Sequence, residues 1–99
     1  MIVHIVFFNL KDTEGYSSEQ NTIRLKEGLE ALVGTITELH KLEVGLDFNR
    51  SEAAYDLSLY TEFTTKAALE AYQVHPAHQE VIALVKEICS GRAVVDYEK

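Results

Sequence analysis

Hydrophobic and polar positions along the chain alternate with two distinct periods. Residues 2–10 are apolar on both alternation sets, which predicts a strand that is covered on both faces and lies centrally in a sheet. A period of two returns in residues 40–48 and 55–63, which predicts a hairpin of two half-buried strands around a polar turn. Residues 93–97 predict the last strand. The buried side of the second strand is predicted to hold Leu42, Val44, Leu46 and Phe48.

Between the first two strands, apolar positions recur every three or four residues, as expected of a helix with one buried face. Ser17 and Gln20 have the spacing of a capping box, so the helix should begin there. Gly34 is the predicted stop. The buried stripe is predicted at Leu25, Leu29, Leu32 and Val33.

A second helical region is predicted in two pieces. Thr64 or Thr65 can cap the first piece, which Pro76 interrupts because the residue before a proline favours an extended backbone. Pro76 suits the first position of a new helix, which should end at Gly91. The first piece is predicted to run through Leu69 and Tyr72, and the buried stripe of the second is predicted at Val81, Leu84, Val85 and Ile88.

The order of elements is β-α-β-β-α-β with the second helix broken. This order predicts an α+β, ferredoxin-like protomer with a four-stranded antiparallel sheet and helices on one face, as a single domain over residues 1–99. Because helices cover only one face and the first strand is apolar on both, the bare face should pack against a second copy. The prediction is a homodimer whose two sheets close into an α/β barrel.

Composition restricts the classes of partner. The 99 residues are 46% hydrophobic, and 16 acidic against 9 basic residues give a net charge of −7. The hydrophobic content is sufficient for one core. The negative net charge disfavours nucleic acid and anionic membrane surfaces as partners. The apolar first ten residues lack the pattern of a leader and are too short to span a bilayer. The single cysteine, Cys89, cannot form an internal disulfide, so a cytoplasmic location is expected.

Candidate chemistry is concentrated at the helix break, where Tyr72, His75 and His78 lie within seven residues. His78 falls in the first turn of the new helix, which disfavours a charged imidazole and keeps the ring available as a base. Tyr72 could donate a hydrogen bond to an enolate oxygen, a pairing suited to aldol closure, lyase or isomerase chemistry. The alternative is structural, with Tyr72 a core aromatic, His75 a helix cap and His78 a surface residue.

Other candidates are weaker. His4, on the first strand, could face a cavity near His78 or be a satisfied buried imidazole. His75 and His78 straddle Pro76 without an adjacent carboxylate, so no metal site is expected. No glycine-rich phosphate loop is present, and no cofactor is expected.

The residues also resemble a known family. Val3-His4-Ile5-Val6-Phe7-Phe8, Glu43-Val44-Gly45, Tyr55-Asp56-Leu57, the stretch Tyr72-Gln73-Val74-His75-Pro76-Ala77-His78 and the terminal Val94-Val95-Asp96-Tyr97-Glu98 together are similar to the stress-responsive α/β-barrel domain (Dabb) family. The resemblance implies a homodimeric α/β barrel. One plant branch of the family comprises polyketide cyclases that perform an intramolecular aldol condensation, and its catalytic tyrosine and histidine match Tyr72 and His78. The histidine that matches His4 lies near the pocket in that branch.

These observations leave several hypotheses open. The first is a Dabb-type homodimer with a pocket near His4, Tyr72, His75 and His78 for a small aromatic or β-keto ligand. Its enzymatic form is a cofactor-free cyclase or lyase with His78 as base and Tyr72 as donor. The others are a non-enzymatic stress-associated dimer and, with less support, a haem- or quinol-handling monooxygenase of the broader dimeric-barrel class.

Overall fold

A computed structural model describes residues 1–99 and contains four strands and three helices. The strands form one antiparallel sheet in the order β2-β3-β1-β4. β1 therefore lies centrally, as its two apolar faces predict. The elements are β1 (Ile2–Leu10), α1 (Ser18–Glu30), β2 (Lys41–Leu46), β3 (Leu57–Phe63), α2 (Lys66–Val74), α3 (Pro76–Ile88) and β4 (Cys89–Glu98).

The helix starts follow the predicted local chemistry. Ser17 caps α1 in a capping box, in which its side chain accepts from the backbone N–H of Gln20 and the Gln20 side chain accepts in return. Thr65, one of the two predicted caps, begins α2, and Pro76 occupies the first turn of α3. All three helices fall short of the length and apolar character that a membrane-spanning helix needs.

Three boundary predictions are wrong. α1 ends at Glu30 rather than Gly34, and Val33 is 60% exposed because the turn after the helix rotates it out of the buried stripe. β2 stops at Leu46, so Phe48 lies in the following loop and is 95% exposed. α3 passes into β4 at Cys89 without an intervening loop, which places Gly91 inside the strand.

The core lies between the helices and one face of the sheet. Side chains of β1 alternate between the two faces, so Val6 and Phe8 point towards the helices while Ile5 and Phe7 point away. The opposite, helix-free face carries a partly exposed apolar stripe along β1 and β4. We call this stripe the bare face, and its members are Ile5, Phe7, Ala93, Val95 and Tyr97 together with Val3, which is fully buried.

Candidate functional site

A cavity of about 300 Å³ lies between α3 and the helix-facing side of β1 and β4. Its volume is at the lower end of the range of pockets that hold small molecules. Eight apolar residues line it, namely Val6, Phe8, Leu29, Leu59, Val81, Ile82, Val85 and Val94. Its polar lining consists of His4, Gln73, His78, Gln79, Arg92 and Asp96. An apolar pocket with a few polar groups is the usual form of a ligand site.

The break between α2 and α3 positions His78. Pro76 has no N–H, and the amide of Ala77 donates to Nδ1 of His75 at 3.0 Å, so neither supplies a helical bond to the carbonyl of Gln73. That carbonyl instead lies 3.1 Å from Nδ1 of His78. Because a carbonyl only accepts, Nδ1 carries the proton in this contact, and Nε2 of the neutral ring keeps its lone pair.

The electrostatic surroundings keep His78 neutral. Burial lowers the pKa of His78 below its ordinary value, and the nearby charges of His4 and Arg92 lower it further, against the opposing effect of the Gln73 carbonyl. A lowered pKa means that the ring is uncharged at neutral pH. A neutral imidazole with one nitrogen held by a carbonyl and the other unprotonated can act as a general base.

His4 lies on the same cavity and is held by a carboxylate. It is 7% exposed, and its Nδ1 lies 2.5 Å from Oδ1 of Asp96, the residue directly opposite on β4. A carboxylate that accepts from Nδ1 fixes both the tautomer and the orientation of the ring. His4 and Asp96 therefore form a fixed polar pair in the cavity lining.

Tyr72 is packed beside the cavity rather than lining it. It is fully buried, its ring centroid lies 4.4 Å from that of His78 and 4.9 Å from that of Phe63, and its hydroxyl has no hydrogen-bond partner. Burial raises the pKa of Tyr72, so the hydroxyl keeps its proton. The structure thus brings a buried donor without a partner against the candidate base.

His75 lies outside the cavity lining. Its backbone is extended, as expected before a proline, and its ring caps α3 through the contact with Ala77. The two histidines of the motif therefore have different surroundings: His78 lines the cavity, whereas His75 caps the N-terminus of α3.

Sequence reasoning missed several polar residues of the cavity. Arg92 and Asp96 share the helix-facing side of β4 because they lie four positions apart, an even spacing along a strand. The alternation of a strand that begins at Cys89, rather than at the predicted Ala93, would have indicated that Arg92 and Asp96 lie on one side. Gln73 contributes a backbone atom, which no side-chain pattern could reveal.

The other reactive side chains and surface depressions of the protein are weaker candidates for a functional site. Burial raises the pKa of Cys89 to about 11, so its thiol is protonated at neutral pH. No group of three or more histidine, cysteine, aspartate or glutamate side chains comes together as a metal site. A larger depression of about 420 Å³ beside Phe7 and Tyr55 contains no histidine.

Comparison with known proteins decides the family. Residues 2–99 match the family model of the stress responsive A/B barrel domain, Dabb. The chain belongs to this family. It is 34% identical over 98 residues to an uncharacterized protein of Streptomyces coelicolor, and the match covers 99% of both chains.

Solved structures share the fold over nearly the whole chain. A dimeric ferredoxin-like protein of unknown function from Bacteroides fragilis is 35% identical, with a TM-score of 0.84 over 99% of this chain and 95% of that chain. The hydroxynitrile lyase of Passiflora edulis has a TM-score of 0.80 over 97% of this chain and 90% of that chain, at 17% identity. At that identity the likeness shows the fold alone.

Proposed function

We propose that this Dabb protein binds a small carbonyl compound between α3 and the sheet and acts on it as a cofactor-free, aldol-type cyclase or lyase. The observation that carries the proposal is the state of His78. Its ring is neutral, Nδ1 is held by the Gln73 carbonyl, and the ring lines a cavity of about 300 Å³. Each of these features suits a general base.

In the proposed mechanism, Nε2 of His78 removes a proton from the carbon next to the ligand carbonyl. The C–H electron pair forms the enolate, whose oxygen is stabilised by a hydrogen bond from the Tyr72 hydroxyl. The enolate carbon then attacks a second carbonyl carbon of the same molecule, and the proton on Nε2 passes to the resulting alkoxide. In the lyase direction the same transfers run in reverse and break the carbon–carbon bond.

The support for each role is physical. The Tyr72 hydroxyl is buried without a partner beside the cavity, so in the proposed mechanism the side chain turns towards the bound ligand, whose oxygen satisfies a donor that the protein leaves unpaired. The Passiflora protein, which has the same fold, is by its name a lyase. The fold is therefore compatible with chemistry of this class.

Hydrogen–deuterium exchange tests the base without requiring the natural substrate. In D₂O, the wild-type protein should accelerate deuterium incorporation next to the ketone of methyl levulinate, a small uncharged probe, as followed by proton NMR. His78→Gln should lower the protein-catalysed rate by about 100-fold, the size of a typical general-base contribution. His40→Gln, at an exposed histidine outside the cavity, is the matched control and should leave the rate unchanged.

The pH profile of the same reaction adds an independent check. Because the pKa of His78 is lowered, its neutral form persists as the pH falls through about 6.5, the ordinary histidine value, and the exchange rate should decline only below it. A wild-type rate equal to that of His78→Gln at every pH would refute the proposed base.

We also propose that two copies pack through the bare face to form the α/β barrel. On the bare face, Val95 is 52% exposed and Phe7 and Tyr97 are partly exposed, which is unfavourable for an isolated sheet. The Bacteroides relative is dimeric. Such a homodimer with a protonated, disulfide-free Cys89 suits a reducing cytoplasm, where we place the protein.

The non-enzymatic alternative is a stress-associated dimer in which the helix break is architectural. It is favoured by the cap that His75 provides and by the tight packing of Tyr72. The exchange experiment separates the two proposals, because an architectural His78 would have no effect on the chemistry of a ketone.

A further inference from the structure

The three arginines of the chain differ in how their side chains are partnered. Arg24 donates to Asn21 at 2.9 Å and lies 3.9 Å above the ring of Tyr16. Arg50 pairs with Asp47 and Asp56. Arg92 makes neither a hydrogen bond nor an ion pair. Arg92 is exposed, so its guanidinium is hydrated in the single chain and is available to pair with a carboxylate of a ligand.

The position of Arg92 connects it with the cavity. It lies on the helix-facing side of β4, opposite Phe8, and lines the same cavity as His78. Burial is the main cause of the lowered pKa of His78, and the charge of Arg92 adds a smaller contribution in the same direction. The cavity therefore contains an unpaired cation near a neutral base.

The opposite end of the cavity contains a negatively charged side chain, Asp96. Asp96 lies four residues further along β4, roughly 13 Å away at the rise of an extended strand, and is occupied by His4. A carboxylate on a ligand would be repelled by Asp96 and attracted by Arg92. The positive charge of Arg92 and the negative charge of Asp96 therefore favour one orientation of an anionic ligand, with its carboxylate next to Arg92.

We propose that Arg92 makes the cavity selective for carbonyl compounds that carry a carboxylate, such as small keto acids. This proposal rests on the proposed function, because it assigns a substrate class to the same cavity. The planar guanidinium binds the carboxylate through two parallel hydrogen bonds, and the ketone lies towards His78 and the His4–Asp96 pair. Arg92 acts as a specificity residue and takes no part in proton transfer.

A pair of ligands that differ only in charge tests the proposal. The binding of levulinate and of methyl levulinate to the ¹⁵N-labelled protein is measured by NMR titration. The wild-type protein should bind the acid about tenfold more tightly than the ester, the size expected for a hydrogen-bonded ion pair. Arg92→Gln should reduce this ratio to about one, whereas Arg92→Lys should retain part of it, since it keeps the charge but loses the fork geometry.

The matched control is Arg24→Gln, which removes the same charge outside the cavity and should keep the wild-type ratio. Equal loss of the acid preference in both variants would attribute it to net charge and overturn the proposal. Equal affinity of the wild-type protein for acid and ester, or binding of the ester alone, would also overturn it while leaving the cavity as a ligand site. If neither compound perturbs residues of the cavity, both this proposal and the proposed ligand site fail.

Discussion

Two tyrosine hydroxyls of this protein have opposite environments. The Tyr72 hydroxyl is buried without a partner, whereas the Tyr60 hydroxyl donates to Glu62 at 2.6 Å and lies 3.2 Å from the ammonium of Lys99. A buried polar group without a partner costs free energy, while a satisfied one contributes to stability. An unsatisfied donor next to His78 is therefore retained at the expense of stability, which is typical of functional groups.

Removal of each hydroxyl should have opposite effects on stability. Tyr72→Phe should raise the free energy of unfolding by about 1 kcal/mol, because it removes the unpaired donor without leaving a cavity. Tyr60→Phe should lower it, because it deletes the bond to Glu62. Urea denaturation of both variants measures these changes. A destabilised Tyr72→Phe protein would mean that the hydroxyl has a partner in the folded protein.

At the level of elements, the interruption at Pro76 connects sequence to site. The sequence predicted both the helix break at Pro76 and the start of a new helix at this residue. The consequence for the Gln73 carbonyl was not readable, because it depends on which amide the ring of His75 occupies. One local interruption thus both caps α3 and orients His78.

The cap provides a second prediction. His75→Ala should lower the free energy of unfolding by about 1 kcal/mol, since it removes the acceptor for the amide of Ala77. His75→Asn should retain most of the stability, because asparagine is a good cap. Thermal unfolding followed by circular dichroism distinguishes them. Equal losses in the two variants would show that the ring stabilises the protein by packing rather than by capping.

The element boundaries show where local patterns stop being informative. The apolar periodicity correctly located every strand and helix, but it extended α1 to Val33 and β2 to Phe48. Both residues are exposed since the chain turns before reaching them, and an apolar side chain beyond a turn does not obey the period of the element. Gly91 lies in β4 because pairing with Asn9 of β1 outweighs the low strand preference of glycine.

At the scale of the whole molecule, the sheet separates two environments. The helix-facing side holds the core and the cavity, whereas the bare face holds a hydrophobic stripe without a cover in the single chain. Burying such a stripe against a second copy would remove apolar surface from water and close the two sheets into a barrel.

Charge placed in the stripe should dissociate the dimer. Val95→Glu puts a carboxylate on the bare face of each copy, so the dissociation constant should rise by about 100-fold from the cost of burying unpaired charge. Val33→Glu adds the same charge at an exposed valine outside the stripe and should leave the dimer intact. Sedimentation velocity over a concentration series measures both. A wild-type monomer, or a Val95→Glu dimer of unchanged affinity, would contradict the proposed interface.

The order of the elements, the helix starts, the break at Pro76 and the central place of β1 could be predicted from the sequence alone, because these depend on local periodicity and on the backbone chemistry of a few residues. The grouping of His4, His78, Arg92 and Asp96 around one cavity required the tertiary structure. That grouping is set by the antiparallel register of β1 and β4 and by the packing of α3 on them, and contacts between residues more than 90 positions apart, such as His4 with Asp96, leave no periodic trace in the chain.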